Sequence, residues 1–213
     1  MQQTRELIPQ IRSERFNSTT TVVRIQGEVV RKSLHLLIAL VPLLASVNLS
    51  ATFALLAVGT IFYALAETSR LQGSPVPLVS DLTLIASRER DRNGFVLGPI
   101  TLGIGAMLSL LLYPLPAASI AIYALAFGDG FASLVGTTVR GPRLPFLRGK
   151  TLAGSLACFT VVFIVTLRIT ARPVGAALIA GSATLLEAIP TGNFDNVILP
   201  FGVGMIAAKI LFI

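Results

Sequence analysis

Seven apolar runs, each near the length of a membrane crossing, leave this chain few folds to choose from. They fall at 33–49, 51–69, 95–113, 117–137, 151–168, 173–190 and 197–213. An α-helix crosses the hydrocarbon core with about 20 such residues and satisfies its backbone hydrogen bonds internally. Of the 213 residues, 54% are hydrophobic and only 13% charged, so no stretch is left in which a sizeable soluble domain could sit beside the spans. The expected fold is all-α: a polytopic membrane protein of about seven transmembrane helices. Asn48 and Ser50, Pro114 and Pro116, and Arg172-Pro173 mark tight turns between spans. The polar region from Gly73 to Gly94 and the segment from Gly141 to Pro145 read as longer loops. Residues 1–25 read as a cytoplasmic segment, amphipathic or flexible, ahead of one membrane domain at 26–213.

The net charge of +7 first suggests nucleic acid, but the basic residues lie between apolar runs, where membrane topology accounts for them. Fourteen of the 17 lysines and arginines fall in residues 1–32 and in the second and fourth connections. The positive-inside rule then puts the N-terminus in the cytoplasm, with no nucleic-acid partner. The lone cysteine, Cys158, excludes an intrachain disulfide.

This topology gathers the unusual polar groups at one face of the bilayer. Five of the ten carboxylates, Glu28, Glu67, Asp129, Glu187 and Asp195, lie inside or at the edge of apolar runs. Ionisable groups are costly in hydrocarbon and commonly mark function there. Glu28, Arg31, Lys32 and His35 are spaced i, i+3, i+4, i+7, one face of a helix. That face reads as a phosphate-facing stripe or as an interfacial cap with membrane anchors. Glu67 and Arg70 form an i, i+3 pair at a span end. The sharpest signal is Gly128-Asp129-Gly130 followed by Ala132, Ser133 and Gly136. Small residues every four suit close helix packing. They do not explain Asp129, a carboxylate between two glycines, which suits a metal or a ligand approaching the backbone. Gly149-Lys150-Thr151, then Gly154-Ser155, opens a helix whose free N–H groups favour an anion. It is not a P-loop, because Leu144 stands where that motif needs glycine. Asp195-Asn196 reads either as a site element or as the N-cap of the last span. Asp129, Glu187 and Asp195, if convergent, make an adequate Mg²⁺ set beside substrate phosphates.

In this order the motifs resemble the CTP-dependent polyprenol kinase family, which includes dolichol kinase, phytol kinase and a CTP-dependent diacylglycerol kinase. The matching elements are Glu28-x-x-Arg31-Lys32-x-x-His35, Gly128-Asp129-x-x-Ala132-Ser133-x-x-Gly136, Gly149-Lys150-Thr151-x-x-Gly154-Ser155, and Glu187 with Asp195-Asn196-x-x-x-Pro200. Ala153 stands where dolichol-kinase-like members carry an acid, which tilts the likeness toward the phytol kinase branch. The resemblance implies that residues 26–213 are a lipid-kinase domain moving the γ-phosphate of CTP to the hydroxyl of a membrane alcohol, with Mg²⁺. The alcohol would be phytol, geranylgeraniol, a polyprenol or diacylglycerol. It implies catalytic roles among Asp129, Lys150, Asp195 and His35. Nucleotide contacts would come from Arg31, Lys32, Gly128, Gly130, Ser133, Gly149, Lys150, Thr151, Gly154, Ser155 and Asn196. Metal would fall to Asp129, Glu187 and Asp195, with Glu28, Glu67 and Arg70 as further polar groups of the site.

Two other classes compete. A phosphatidate cytidylyltransferase also uses CTP, but the Lys-Asp pair and Pro-Gly-His-Gly-Gly run of that family are missing from this sequence. A transporter also buries carboxylates, though near the midplane or along a path instead of at one face. The small-residue faces permit a homodimer, and a bacterial inner membrane with a cytoplasm-facing site is the expected location.

Overall fold

The computed structural model describes residues 27–87, 91, 94–139, 150–192 and 194–212. The segment 1–25, Gly149, and the basic residues Arg88, Arg90, Arg92, Arg140, Arg143 and Arg148 lie outside the described residues. The described chain is all-α. Its helices are α1 Gly27–Val47, α2 Leu49–Leu71, α3 Val79–Ala86, α4 Gly98–Leu112, α5 Leu115–Thr138, α6 Leu152–Thr170, α7 Pro173–Ala188 and α8 Asp195–Phe212. Five of these, α1, α2, α5, α6 and α8, are long and apolar enough to cross a membrane. The shorter apolar helices α4 and α7 occupy the third and sixth expected spans.

Local chemistry sets the boundaries. Asn48 ends α1 and caps α2, its Oδ1 accepting from the Ala51 N–H at 2.9 Å. Prolines occupy the first turns of α4, α5 and α7, where the missing N–H costs nothing. Within α1 the backbone tightens to a 3₁₀ turn over Leu37–Leu40 just ahead of Pro42, which cannot donate to the helical ladder. The helix begins six residues before the expected start of the first span. Glu28, Arg31 and Lys32 find partners inside the protein and so do not end the helix in solvent.

One expectation is corrected. The Gly73–Gly94 region is not simply a loop: Val79–Ala86 forms α3. The apolar residues of Val79-Ser80-Asp81-Leu82-Thr83-Leu84-Ile85-Ala86 recur on both sides of an eight-residue helix about 12 Å long, too short to cross a bilayer.

The bundle is organised around α5, of which 61% of the apolar span is buried against 11% for α2. Leu125, Ile120, Ala132, Cys158, Ile179, Leu199 and Val203 belong to one core cluster, and Ile38, Val41, Ala106, Leu110, Ala118 and Ile122 to a second. Glycines allow the helices to touch. A Cβ on Gly105 would collide with the Asn196 carbonyl, and one on Gly204 with the Tyr113 ring. A Cβ on Gly128 would sit 3.0 Å from Val162 and 3.2 Å from Cys158, and one on Gly154 would sit 2.6 Å from the Ala132 carbonyl. The stripe Gly128, Ala132, Gly136 is therefore used within the chain, against α6, and is not a free dimerisation face.

Gly105→Ala is expected to lower stability by about 1–3 kcal/mol through overpacking. Gly59→Ala, where a Cβ meets nothing within 4 Å, is expected to be neutral or slightly stabilising. Thermal midpoints of the two variants in the same detergent check this; equal midpoints would contradict the packing assigned to α4 and α8.

Candidate active site

Helix ends that are remote in sequence meet around a cleft of about 690 Å³. The starts of α1, α4, α6 and α8 and the ends of α5 and α7 all contribute to it, so one end of the bundle carries the polar groups. Arg31, Lys32 and His35 come from α1, Asp129 and Ser133 from α5, and Lys150, Thr151, Gly154 and Ser155 from the opening of α6. Glu187 of α7 and Asp195 and Asn196 of α8 complete this side.

Asp129 owes its place to a backbone irregularity. Residues Ala124–Asp129 form a π-helical turn inside α5, a distortion that re-aims side chains and is common at functional sites. The turn directs Asp129 toward α1, where Lys32 Nζ donates to its Oδ2. His35 Nε2 lies 2.9 Å from the Leu125 carbonyl. A carbonyl can only accept, so Nε2–H is the donor. The same Nε2 is 3.4 Å from Asp129 Oδ2. His35 thus anchors the π turn as well as facing the cleft. Both Lys32 and Asp129 are at most 9% exposed, so the charges stand in a setting where an unpaired partner is expensive.

A second ion pair closes the other side. Lys150 Nζ donates to Glu187 Oε1, joining the mouth of α6 to the end of α7. Thr151 caps α6 through its Oγ1, which accepts from the Gly154 N–H at 3.1 Å. The Ser155 hydroxyl is buried at the cleft wall without a hydrogen-bond partner among the described residues. Asn196 Nδ2 donates to the Gly98 carbonyl at 3.2 Å and to Thr101 Oγ1 at 3.0 Å, fastening α8 to α4.

The remaining sequence candidates lie around the cleft instead of in its lining. Glu28 accepts from Arg31 on its own helix and from the Ser133 hydroxyl of α5. Gly128 faces α6, and a Cβ on Gly130 would sit 3.3 Å from Leu36, so both glycines serve helix contact. Glu67 is buried and receives Arg70 Nε and Nη2 at 2.8 Å each, as well as the Val96 N–H at 2.8 Å. Arg70 also donates to the Gly94 carbonyl at 2.9 Å, and the Tyr63 hydroxyl to the Val96 carbonyl at 3.2 Å. This network ties the end of α2 to the strand of chain that delivers Val96, Gly98 and Pro99 to the cleft.

Among the described residues no three His, Cys, Asp or Glu side chains form a group ready to hold a metal. Asp129 and Glu187 are each occupied by a lysine, and Asp195 lines the same cleft without joining them in a cluster. The donor set still fits Mg²⁺, which usually takes one or two carboxylates and completes its shell with phosphate and water.

Sequence reasoning missed the apolar half of the lining: Tyr63, Val79, Leu82, Val96, Pro99 and Leu102, with Asp91 beside them. The signal for it was the apolar run behind Pro75 and Pro77, which the polar flanks of the region concealed.

Fold and cleft together define a class: a multi-pass, all-helical membrane protein with a charged cavity at the end of the bundle that carries its buried carboxylates. Sequence comparison narrows it. The chain is 28% identical over 155 residues to a probable chloroplastic phytol kinase of Zea mays, covering 63% of this chain and 51% of that protein. It is 28% identical over 155 residues to a probable chloroplastic phytol kinase 1 of Oryza sativa subsp. japonica, covering 63% and 49%. To a probable chloroplastic phytol kinase 2 of Glycine max it is 29% identical over 133 residues, covering 54% and 45%. The chain spans about half the length of the curated relatives it matches. These likenesses support the polyprenol and phytol kinase family as its distant kin. No family model and no solved structure matches the chain. The relatives are chloroplastic by name, and a bacterial inner membrane draws no support from them.

Lys32→Met strands Asp129 as a buried, unpaired charge, and the expected loss is about 3 kcal/mol or more of stability. The double change Lys32→Met with Asp129→Leu is expected to recover most of it. Unfolding of the three proteins in one detergent tests the pair; a double variant no better than the single would show that the two side chains are not coupled.

Proposed function

We propose that this chain is a membrane lipid-alcohol kinase that moves the γ-phosphate of CTP to the hydroxyl of an isoprenoid alcohol. The observation that carries the reading is the pair of lysine-neutralised carboxylates, Lys32–Asp129 and Lys150–Glu187, in one cleft. Phosphoryl transfer needs little covalent chemistry from the protein; it needs cations on the phosphate oxygens and carboxylates for a metal. A metal–triphosphate complex brings both signs of charge, so each lysine can pass from its carboxylate to phosphate while the carboxylate passes to metal.

The described lining holds three cations, Arg31, Lys32 and Lys150, and four carboxylates, Asp91, Asp129, Glu187 and Asp195. Asp129, Glu187 and Asp195 are the residues to hold Mg²⁺, which when bound would neutralise the phosphate oxygens as the leaving group departs. Lys32, Lys150 and Arg31 bind phosphate oxygens, and the Ser155 hydroxyl and the N–H groups opening α6 add donors. The alcohol oxygen attacks the γ-phosphorus, the bond to the β-phosphate oxygen breaks, CDP leaves, and the hydroxyl proton passes to a carboxylate of the cleft. CTP as donor and phytol or geranylgeraniol as acceptor rest on the family resemblance and on the names of the relatives. By the positive-inside rule the cleft faces the cytoplasm, or the equivalent compartment in an organelle, and residues 26–213 act as one kinase domain.

Purified protein given γ-labelled CTP, Mg²⁺ and a panel of lipid alcohols is expected to place label in lipid. Asp129→Ala is expected to reduce the rate at least about 100-fold, and chelation of divalent metal to abolish both transfer and nucleotide binding. A CDP-lipid with release of pyrophosphate would favour a cytidylyltransferase, and absence of any labelled lipid from folded protein would refute the kinase reading.

A further inference from the structure

The cleft has two unlike walls. Its charged wall comes from α1, α5, α6, α7 and α8, as described above. The lining also takes in Val79, Leu82 and Ala86, spaced i, i+3, i+7 on one face of α3 with Thr83 and Ser87 beside them, together with Pro99 and Leu102 of α4 and Leu34 of α1. Apolar surface of this extent in a water-filled cavity is unfavourable by about 25 cal/mol per Å². It is relieved when an apolar ligand covers it.

Two further observations say what that ligand is and how it lies. Leu34 lines the cleft, two turns along α1 from Gly27, and Leu37 one turn further is 60% exposed, so the apolar half of the cavity adjoins the exposed side of an apolar span. The outer side of α3 exposes Leu84 (39%) and Ile85 (50%), with Asp81 exposed one turn before them. A short helix with apolar groups on both sides fits a position at the membrane interface, one side to lipid and one side to the cavity. It is held there by packing on α2 and by α1, where Gly27 gives room for the Ile85 carbonyl; a Cβ on Gly27 would stand 2.9 Å from that oxygen.

We infer that α3, with Leu34, Pro99 and Leu102, seats the hydrocarbon chain of the acceptor alcohol and selects acceptors by the length of that chain. This rests on the kinase reading above. The hydroxyl then points to Lys32, Asp129 and Lys150 across the cleft, and the chain leaves past Leu34 into the bilayer. The selective element is the cavity-facing side of α3, because its side chains line the cleft and take no part in the ion pairs.

The test uses the full chain in lipid nanodiscs, with isoprenoid alcohols of increasing chain length. Leu82→Trp narrows the apolar half, and Leu84→Trp adds the same bulk to the outer side of the same helix. For Leu82→Trp the expected result is a fall in kcat/KM for long-chain alcohols of at least about tenfold, with the shortest alcohol within about threefold of wild type. CTP affinity is expected to be retained, which also reports folding, and Leu84→Trp is expected to behave as wild type. Equal loss for all chain lengths, or equal effects of the two tryptophans, would overturn the assignment to α3 while leaving the kinase reading in place. A wild-type protein that phosphorylates no alcohol would remove the kinase reading itself. One measurement is independent of turnover: a long-chain alcohol carrying a photoreactive diazirine on its tail should label residues 79–86, and labelling confined to other helices would overturn the proposal.

Discussion

Lys32 and Asp129 are 97 residues apart in sequence and neutralise one another inside the helical bundle. Neither charge could be held alone in such a setting at tolerable cost. Their pairing fixes the first half of α1 against α5, and His35 on the next turn of α1 takes the Leu125 carbonyl of the π turn. The irregular backbone of α5 is therefore supported at the point where it departs from the regular ladder. The Lys150–Glu187 pair does the same for the mouth of α6 and the end of α7. The two pairs together hold α1, α5, α6 and α7 around one cavity, with each lysine neutralising a carboxylate.

Close packing makes this arrangement possible. Gly128 and Gly154 let α5 and α6 approach closely, Gly128 against Val162 and Cys158 and Gly154 against the Ala132 carbonyl. Gly105 lets α4 reach the start of α8, where Asn196 bonds to it. Glu67 and Arg70 then secure the chain before α4 from the side of α2. Glycine contacts and buried polar bonds thus divide the work: the first bring helices together along their length, the second set their register at the end that holds the cleft.

Much of this was legible in the sequence. The span count, the turns at Asn48 and Pro114, and the gathering of Asp129, Lys150, Glu187 and Asp195 at one end followed from hydropathy and from the alternation of basic loops. The helical stripe Glu28, Arg31, Lys32, His35 was readable from spacing, but its partners were not. Nothing local distinguishes an interfacial anchor from a lysine paired with an aspartate in another helix. Gly128 and Gly130 flank Asp129 so closely that they read as ligand contacts, whereas each faces a neighbouring helix. The π turn over Ala124–Asp129 lies within a continuous apolar span and was not read from the sequence. Helix α3 was hidden because eight residues between polar segments give too short a period to stand out, and its role depends on which side faces the cavity.

The most direct test of the central claim is the experimentally determined structure of the protein with Mg²⁺ and a non-hydrolysable CTP analogue. The expected result is a triphosphate lying between Lys32 and Lys150, with the metal on Asp129 or Glu187 and the lysines withdrawn from their carboxylates. A nucleotide bound away from the cleft, with both ion pairs intact, would contradict the account.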